Sequence, residues 1–155
     1  MIALLADTHL PRGARRLPDA CLRVLERADL IVHAGDFTAA SVLDELRAFA
    51  PVEAVHGNVD EPALRMHLPE RHVVESEGLR LGVVHDAGVR EDRAERLARW
   101  FPECDIVVYG HTHRPETTAV GAMWIVNPGS PTERRRSPAH TMAVVRDGRP
   151  TLVEL

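Results

Sequence analysis

The tetrapeptide Gly110-His111-Thr112-His113 directly follows the apolar run Ile106-Val107-Val108-Tyr109. In an extended chain residues two apart share a face, so both imidazoles project the same way from the end of a strand. The glycine in front lets the backbone turn sharply with no side chain in the way. The same grammar recurs at Asp7-Thr8-His9, at Gly35-Asp36, at Gly57-Asn58 and at His85, each time after an apolar run. A lone histidine at such a place is usually a hydrogen-bonded surface or core residue, and a lone Gly-Asp is usually a turn. Two aspartates, one asparagine and four histidines at five strand ends together point to a metal centre.

Asp36 is the natural bridge of such a centre, because a carboxylate has two oxygens and can hold two cations about 3.5–4 Å apart. Imidazole mixed with carboxylate suits Mn, Fe, Zn or Ni better than Mg or Ca. No cysteine is among the donors, which argues against a structural zinc site. Two divalent ions less two carboxylates and a bridging hydroxide leave about one positive charge, which favours an anion such as a phosphate ester. Coordination lowers the pKa of water from about 15.7 towards roughly 7 in the zinc case. The expected reaction is metal-assisted phosphoester hydrolysis.

The elements that must carry these donors are legible in outline. Ile2 to Ala6, Leu30 to Ala34 and Val52 to His56 read as strands, with helices predicted over Pro18 to Arg27 and Ala39 to Phe49 between them. Val42, Leu43, Leu46 and Phe49 make one apolar helical face. This alternation implies a parallel sheet covered by helices. Arg71 to Glu75 and Leu79 to His85 flank Ser76-Glu77-Gly78 as a hairpin. Glu91 to Phe101 carries Ala94, Leu97, Ala98 and Phe101 on a helical face, ended by Pro102. The last third is β-rich, with strands at Thr117 to Val120, Met123 to Val126, Thr141 to Arg146 and Thr151 to Leu155. A parallel half joined to an antiparallel half suggests two sheets face to face with helices outside.

At 155 residues the chain suits one domain, 1–155, with a proper core. Its composition is 45% hydrophobic and its net charge is -4, which offers no broad basic surface for nucleic acid. The opening apolar stretch ends at Asp7, too short for a signal core or a membrane span, so a cytoplasmic location is expected. Cys21 and Cys104 have neither zinc-knuckle nor redox spacing and read as idle thiols.

With Asp7-x-His9, Gly35-Asp36, Gly57-Asn58-x-Asp60, His85, Gly110-His111-x-His113 and the late Asn127-Pro128-Gly129-Ser130 in order, the chain resembles the calcineurin-like metallophosphoesterase superfamily, in its small YfcE-type branch. The resemblance covers nearly the whole chain. It implies an α/β (α+β) fold, a four-layer αββα sandwich of two mixed β-sheets flanked by helices. It implies two divalent ions, Mn first with Ni, Fe or Zn as alternatives. Asp7, His9, Asp36 and His113 would hold one ion; Asp36, Asn58, His85 and His111 would hold the other. Asp36, Asn58 and His111 would then be the catalytic group, acting through a metal-bridging hydroxide, with no separate general acid. The implied substrate is a small phosphate ester, most simply a diester. Relatives form dimers or larger assemblies, so a homo-oligomer is among the implied states.

Departures from the family pattern matter. Many members carry a histidine after the asparagine, where this chain has Val59, which can neither protonate a leaving group nor hold a substrate. Asp86 follows His85 and is a candidate to orient it, against a plain loop charge. Arg134-Arg135-Arg136 could grip phosphates, although a solvated run is the ordinary reading. His33 and His56 are candidate supports for the ligand loops, while His67, His72 and His140 read as surface residues. Asp60 is a candidate to hold the Asn58 loop. The alternatives to a phosphodiesterase are a phosphomonoesterase or nucleotide hydrolase and, from another class, a weakly catalytic or non-catalytic protein-binding scaffold of the same fold.

Overall fold

The computed structural model describes residues 1–155. Strand β1 (Ile2–Leu5) is buried throughout, as an unbroken apolar run requires. It pairs in parallel with β2 (Leu30–His33), which pairs in parallel with β3 (Val52–Ala54). Parallel neighbours need a crossover, and the helices α1 (Asp19–Leu25) and α2 (Ala40–Arg47) supply the two. After β3 comes a short helix α3 (Pro62–His67) that periodicity does not predict. It buries only Leu64, so the one sequence signal is Pro62 in its first turn.

Strands β4 (Arg71–Ser76) and β5 (Leu79–Val84) form the predicted hairpin, turning at Glu77 and Gly78 with φ of 54° and 76°. Helix α4 (Arg93–Trp100) leads to β6 (Ile106–Tyr109), then β7 (Glu116–Val120), β8 (Met123–Asn127), β9 (Thr141–Arg146) and β10 (Arg149–Glu154). The sheets run β10-β9-β1-β2-β3 and β4-β5-β6-β8-β7. The division into a parallel opening half and an antiparallel closing half is therefore corrected. The β9–β10 hairpin returns to flank β1 antiparallel, while β8 lies parallel to β6, so each sheet is mixed. Burial gives the reason: β9 is covered on both faces from Thr141 to Val145, which only an interior position between β10 and β1 provides.

Alternation along the strands divides the core into layers. Ile2 and Leu4 face the second sheet and pack with Leu81, Val83, Ile106 and Val108. Ala3 and Leu5 face outward under α1 and α2, against Cys21, Leu25 and Leu46. On the other side Val107 and Ile125 pack beneath Leu97 and Phe101, α4 and its end. The Phe101 ring is seated on the bare backbone of Gly82, where a Cβ would stand 2.5 Å from it. The result is helix, sheet, sheet, helix. Cys21 and Cys104 are buried and unpaired, and burial pushes the Cys21 thiol up to about 12. No helix is long and apolar enough to cross a membrane.

Leu4 is fully buried between the sheets. Leu4→Ala should therefore lower unfolding free energy by about 2–5 kcal/mol in urea titrations. A loss below about 1 kcal/mol would show that the sheets do not meet at this residue.

Candidate metal centre

Strands β1, β2, β3, β5 and β6 end at one rim, and each candidate donor lies within a few residues past such an end. Asp7 and His9 follow β1, Asp36 follows β2, Asn58 follows β3, His85 follows β5, and His111 with His113 follow β6. All seven are brought together there. His113 Nε2 lies 3.4 Å from Asp7 Oδ1, and His9 Nε2 lies 3.8 Å from the same oxygen. His85 Nε2 stands 3.3 Å from Asp36 Oδ2, and Asn58 Oδ1 is 3.1 Å from both His85 Nε2 and His111 Nδ1. Asp7, His9, Asp36, His85 and His113 are buried, while His111 is half-buried and Asn58 exposed, which leaves one side open.

The loops reach this geometry through unusual backbone. Five of the seven donors, Asp7, His9, Asp36, His111 and His113, have φ between 44° and 68°. Each such residue costs on the order of 1–3 kcal/mol and persists only where its surroundings over-determine it. Close packing of bare backbone is one such surrounding: a Cβ on Gly57 would lie 2.0 Å from Asp36 Oδ1. Asp60 is another. Its carboxylate accepts from the N–H groups of Asp36 (3.2 Å), Thr38 (2.7 Å) and Gly57 (2.7 Å), tying two ligand loops together.

A third support runs from Asn127 to Ser137 and is largely missed by sequence reasoning. Ser130 Oγ donates to the Asp7 carbonyl at 2.7 Å, and the Thr132 hydroxyl donates to that of Thr8. Ser137 Oγ donates to the His113 carbonyl at 2.8 Å, and Asn127 Nδ2 to that of Gly110 at 3.0 Å. The signals in the sequence are the late motif Asn127-Pro128-Gly129-Ser130 and the hydroxyl residues Thr132 and Ser137 beyond it.

The protonation pattern tests whether cations fit. His85 Nδ1 donates to the Ala34 carbonyl (2.7 Å), and His113 Nδ1 donates to the Glu133 carbonyl (2.5 Å). In a neutral ring, the Nε2 of each then carries a lone pair. That of His113 faces His9 Nε2 at 3.1 Å, and that of His85 faces the amide oxygen of Asn58. Asp7 Oδ2 is buried with no hydrogen-bond partner at all. Ring nitrogens and oxygens brought this close need a proton or a cation between them, and the residues fit divalent ions, with Asp7, His9 and His113 in one candidate group and Asp7, Asp36 and His85 in another.

Charges at the site agree with this. Burial pushes Asp7 up to about 7, offset only in part by His85. Burial also opposes ionisation of Asp36, but the hydrogen bond and charge of His85 outweigh it and hold that carboxyl at about 2. Burial lowers His9 and takes His113 down to about 4, so both rings stay neutral. Burial works against His85 too, but Asp36 raises it above its ordinary value.

One expectation, that for Asp86, is corrected in detail. At Asp36, Oδ1 accepts the Val59 N–H at 3.0 Å. Oδ2 alone faces both groups, 3.7 Å from His9 Nε2 and 3.3 Å from His85 Nε2. Asp86 does not orient His85; it is exposed and caps its own turn, accepting the Gly88 N–H at 2.7 Å. His33 is fully buried behind the centre, where its Nδ1 accepts the Gly35 N–H and its ring stacks on Phe37. His56 faces the Gly57 carbonyl, whereas His67, His72 and His140 take no part. Arg134 binds nearby carbonyls, Arg135 reaches the His111 carbonyl at 3.3 Å, and Arg136 is exposed.

Comparison with known proteins agrees with the geometry. The sequence profile described as the calcineurin-like phosphoesterase superfamily domain matches residues 1–147. A protein of Methanothermobacter thermautotrophicus named "Probable metallophosphoesterase" is 34% identical over 150 residues, covering 96% of this chain and 87% of that one. The solution structure of a Thermotoga maritima protein superposes with a TM-score of 0.74 at 31% identity, covering 99% and 98% of the two chains. A single-site variant of Vps29 from Entamoeba histolytica superposes with a TM-score of 0.77 at 25% identity, covering 99% and 98%.

The raised Asp7 carboxyl makes the metal-free fold pH-sensitive. Its neutral form stabilises the fold fully below 3.8, the ordinary value, and that contribution is lost as pH rises through about 7. Asp36 acts oppositely, with stability present above 3.8 and lost as pH falls through about 2. Manganese needs the ionised carboxylate. The rise in melting temperature on adding manganese should therefore be larger at pH 8 than at pH 5. An equal rise at both would contradict this placement of Asp7.

Proposed function

We infer that the centre hydrolyses phosphate esters, because the chain belongs to the calcineurin-like phosphoesterase superfamily. Within that class we assign it as a phosphodiesterase with two divalent ions, manganese first and nickel, iron or zinc as alternatives. Asp7, His9, Asp36 and His113 would hold one ion, and Asp36, Asn58, His85 and His111 the other. The observation that carries the reading is the convergence of lone pairs just described, with Asp36 Oδ2 standing between the two groups. Bound there, the ions would supply Lewis acidity and an activated water.

The chain's own residues set the conditions. Asp36 stays ionised at every working pH, since His85 holds its carboxyl at about 2. The Ala34 and Glu133 carbonyls fix the rings of His85 and His113 so that each presents Nε2. Asn58 offers a neutral oxygen, so only two carboxylates offset the charge of the ions and the centre still attracts an ester anion. Val59 is 45% exposed at the open side and has no proton to give a departing oxygen. Esters with good leaving groups, such as aryl diesters, are the substrates this arrangement suits. A purely scaffolding role leaves the seven converging donors unexplained.

Bis(p-nitrophenyl) phosphate should be cleaved with manganese and not after EDTA. Asp36→Asn and His111→Ala should each lower kcat at least about 100-fold. Val59→His should raise rates on poor leaving groups more than on p-nitrophenyl esters, measured as a shallower dependence on leaving-group pKa. If aryl diesters stayed inert under every metal while alkyl monoesters were cleaved quickly, the diesterase assignment would be wrong.

A further inference from the structure

A cleft of about 620 Å³, lined by none of the seven donors, opens on the outer face of the second sheet beside the start of α4. Its volume falls within the range of small-ligand sites. Ala94, Val120 and Ile125 supply apolar wall, and three arginines, Arg90, Arg93 and Arg114, supply charge. The single acid, Glu116, is already engaged: one oxygen accepts the Tyr109 hydroxyl and the other accepts Thr118 Oγ1 at 3.1 Å. Three guanidinium groups against one carboxylate leave two positive charges in the lining, although the whole chain carries -4.

Arg93 is fixed in place and still one acceptor short. Its guanidinium lies over the Tyr109 ring at 5.0 Å, Nη1 donates to the Tyr109 oxygen at 2.9 Å, and Nη2 reaches the Gly88 carbonyl at 3.4 Å. Its Nε is buried with no acceptor, an arrangement proteins seldom leave without a partner. Arg90 and Arg114 are exposed and paired with no carboxylate. Planar guanidinium forks match the oxygens of a phosphate. The apolar wall beside them suits the organic body attached to it.

We propose that this cleft is a second ligand site, separate from the metal centre, that takes an organic phosphate of mononucleotide size through Arg90, Arg93 and Arg114. Thr112 also lines it and stands between His111 and His113, so an occupant touches the loop that carries two metal donors. The proposal does not depend on hydrolysis at the metal centre, and it is tested without it.

Isothermal titration of EDTA-treated protein with AMP, at low salt, reads the site directly, since no metal is present to bind or cleave the probe. Saturable, sub-millimolar binding is expected, unchanged in Asp36→Asn and weakened at least tenfold in the Arg90→Ala/Arg114→Ala double variant. Both arginines are exposed, so the variant should keep the circular dichroism of the parent. Arg114→Gln alone gives a milder second reading, with a smaller loss expected. No saturable binding, or equal affinity in the folded double variant, would overturn the proposal while leaving the phosphoesterase assignment standing.

Discussion

The centre is organised by ring nitrogens and oxygens that crowd together with few donors among them. His9 and His113 meet nitrogen to nitrogen, His85 and Asn58 meet nitrogen to oxygen, and Asp7 buries an oxygen without any donor. In a dry interior such contacts are costly unless a positive charge stands among them. The two carboxyls shift in opposite directions, Asp7 raised by burial and Asp36 lowered, against its own burial, by the hydrogen bond and charge of His85. Asp7 has no adequate counter-charge and holds its proton to about 7, whereas Asp36 has His85 and stays ionised to about 2.

Holding the donors in that state takes hydrogen bonds that run from loop to loop. Left-handed backbone at five donors would relax if the loops were free. They are not free: Asp60 pins the loops after β2 and β3, and the segment after β8 is stitched to those after β1 and β6. Two sheets with their relevant strands ending at one rim make this cross-bonding geometrically available. The sandwich is thus a frame that brings five strand ends close enough to share supports.

The donors were legible because residue type and position coincide, with each His, Asp or Asn following directly on an apolar run. The helices and strands were legible from period. Strand order was not, because β9 reveals its central place only once both its faces are seen to be covered. Helix α3 was hidden by having one buried residue. The supports were mostly illegible, since a hydroxyl bonded to a distant carbonyl has no signature in the chain. Asp86 misled for the same reason: adjacency to His85 suggested a contact, but the His85 ring had already found the Ala34 carbonyl across the sheet boundary.

Anomalous scattering at the manganese edge, from crystals grown with excess manganese at pH 8, tests the central claim most directly. Two peaks about 3.5–4 Å apart, both within bonding distance of Asp36 Oδ2, are the expected result. A single peak that Asp36 does not touch, or a site with the histidines turned away and no peak, would contradict it.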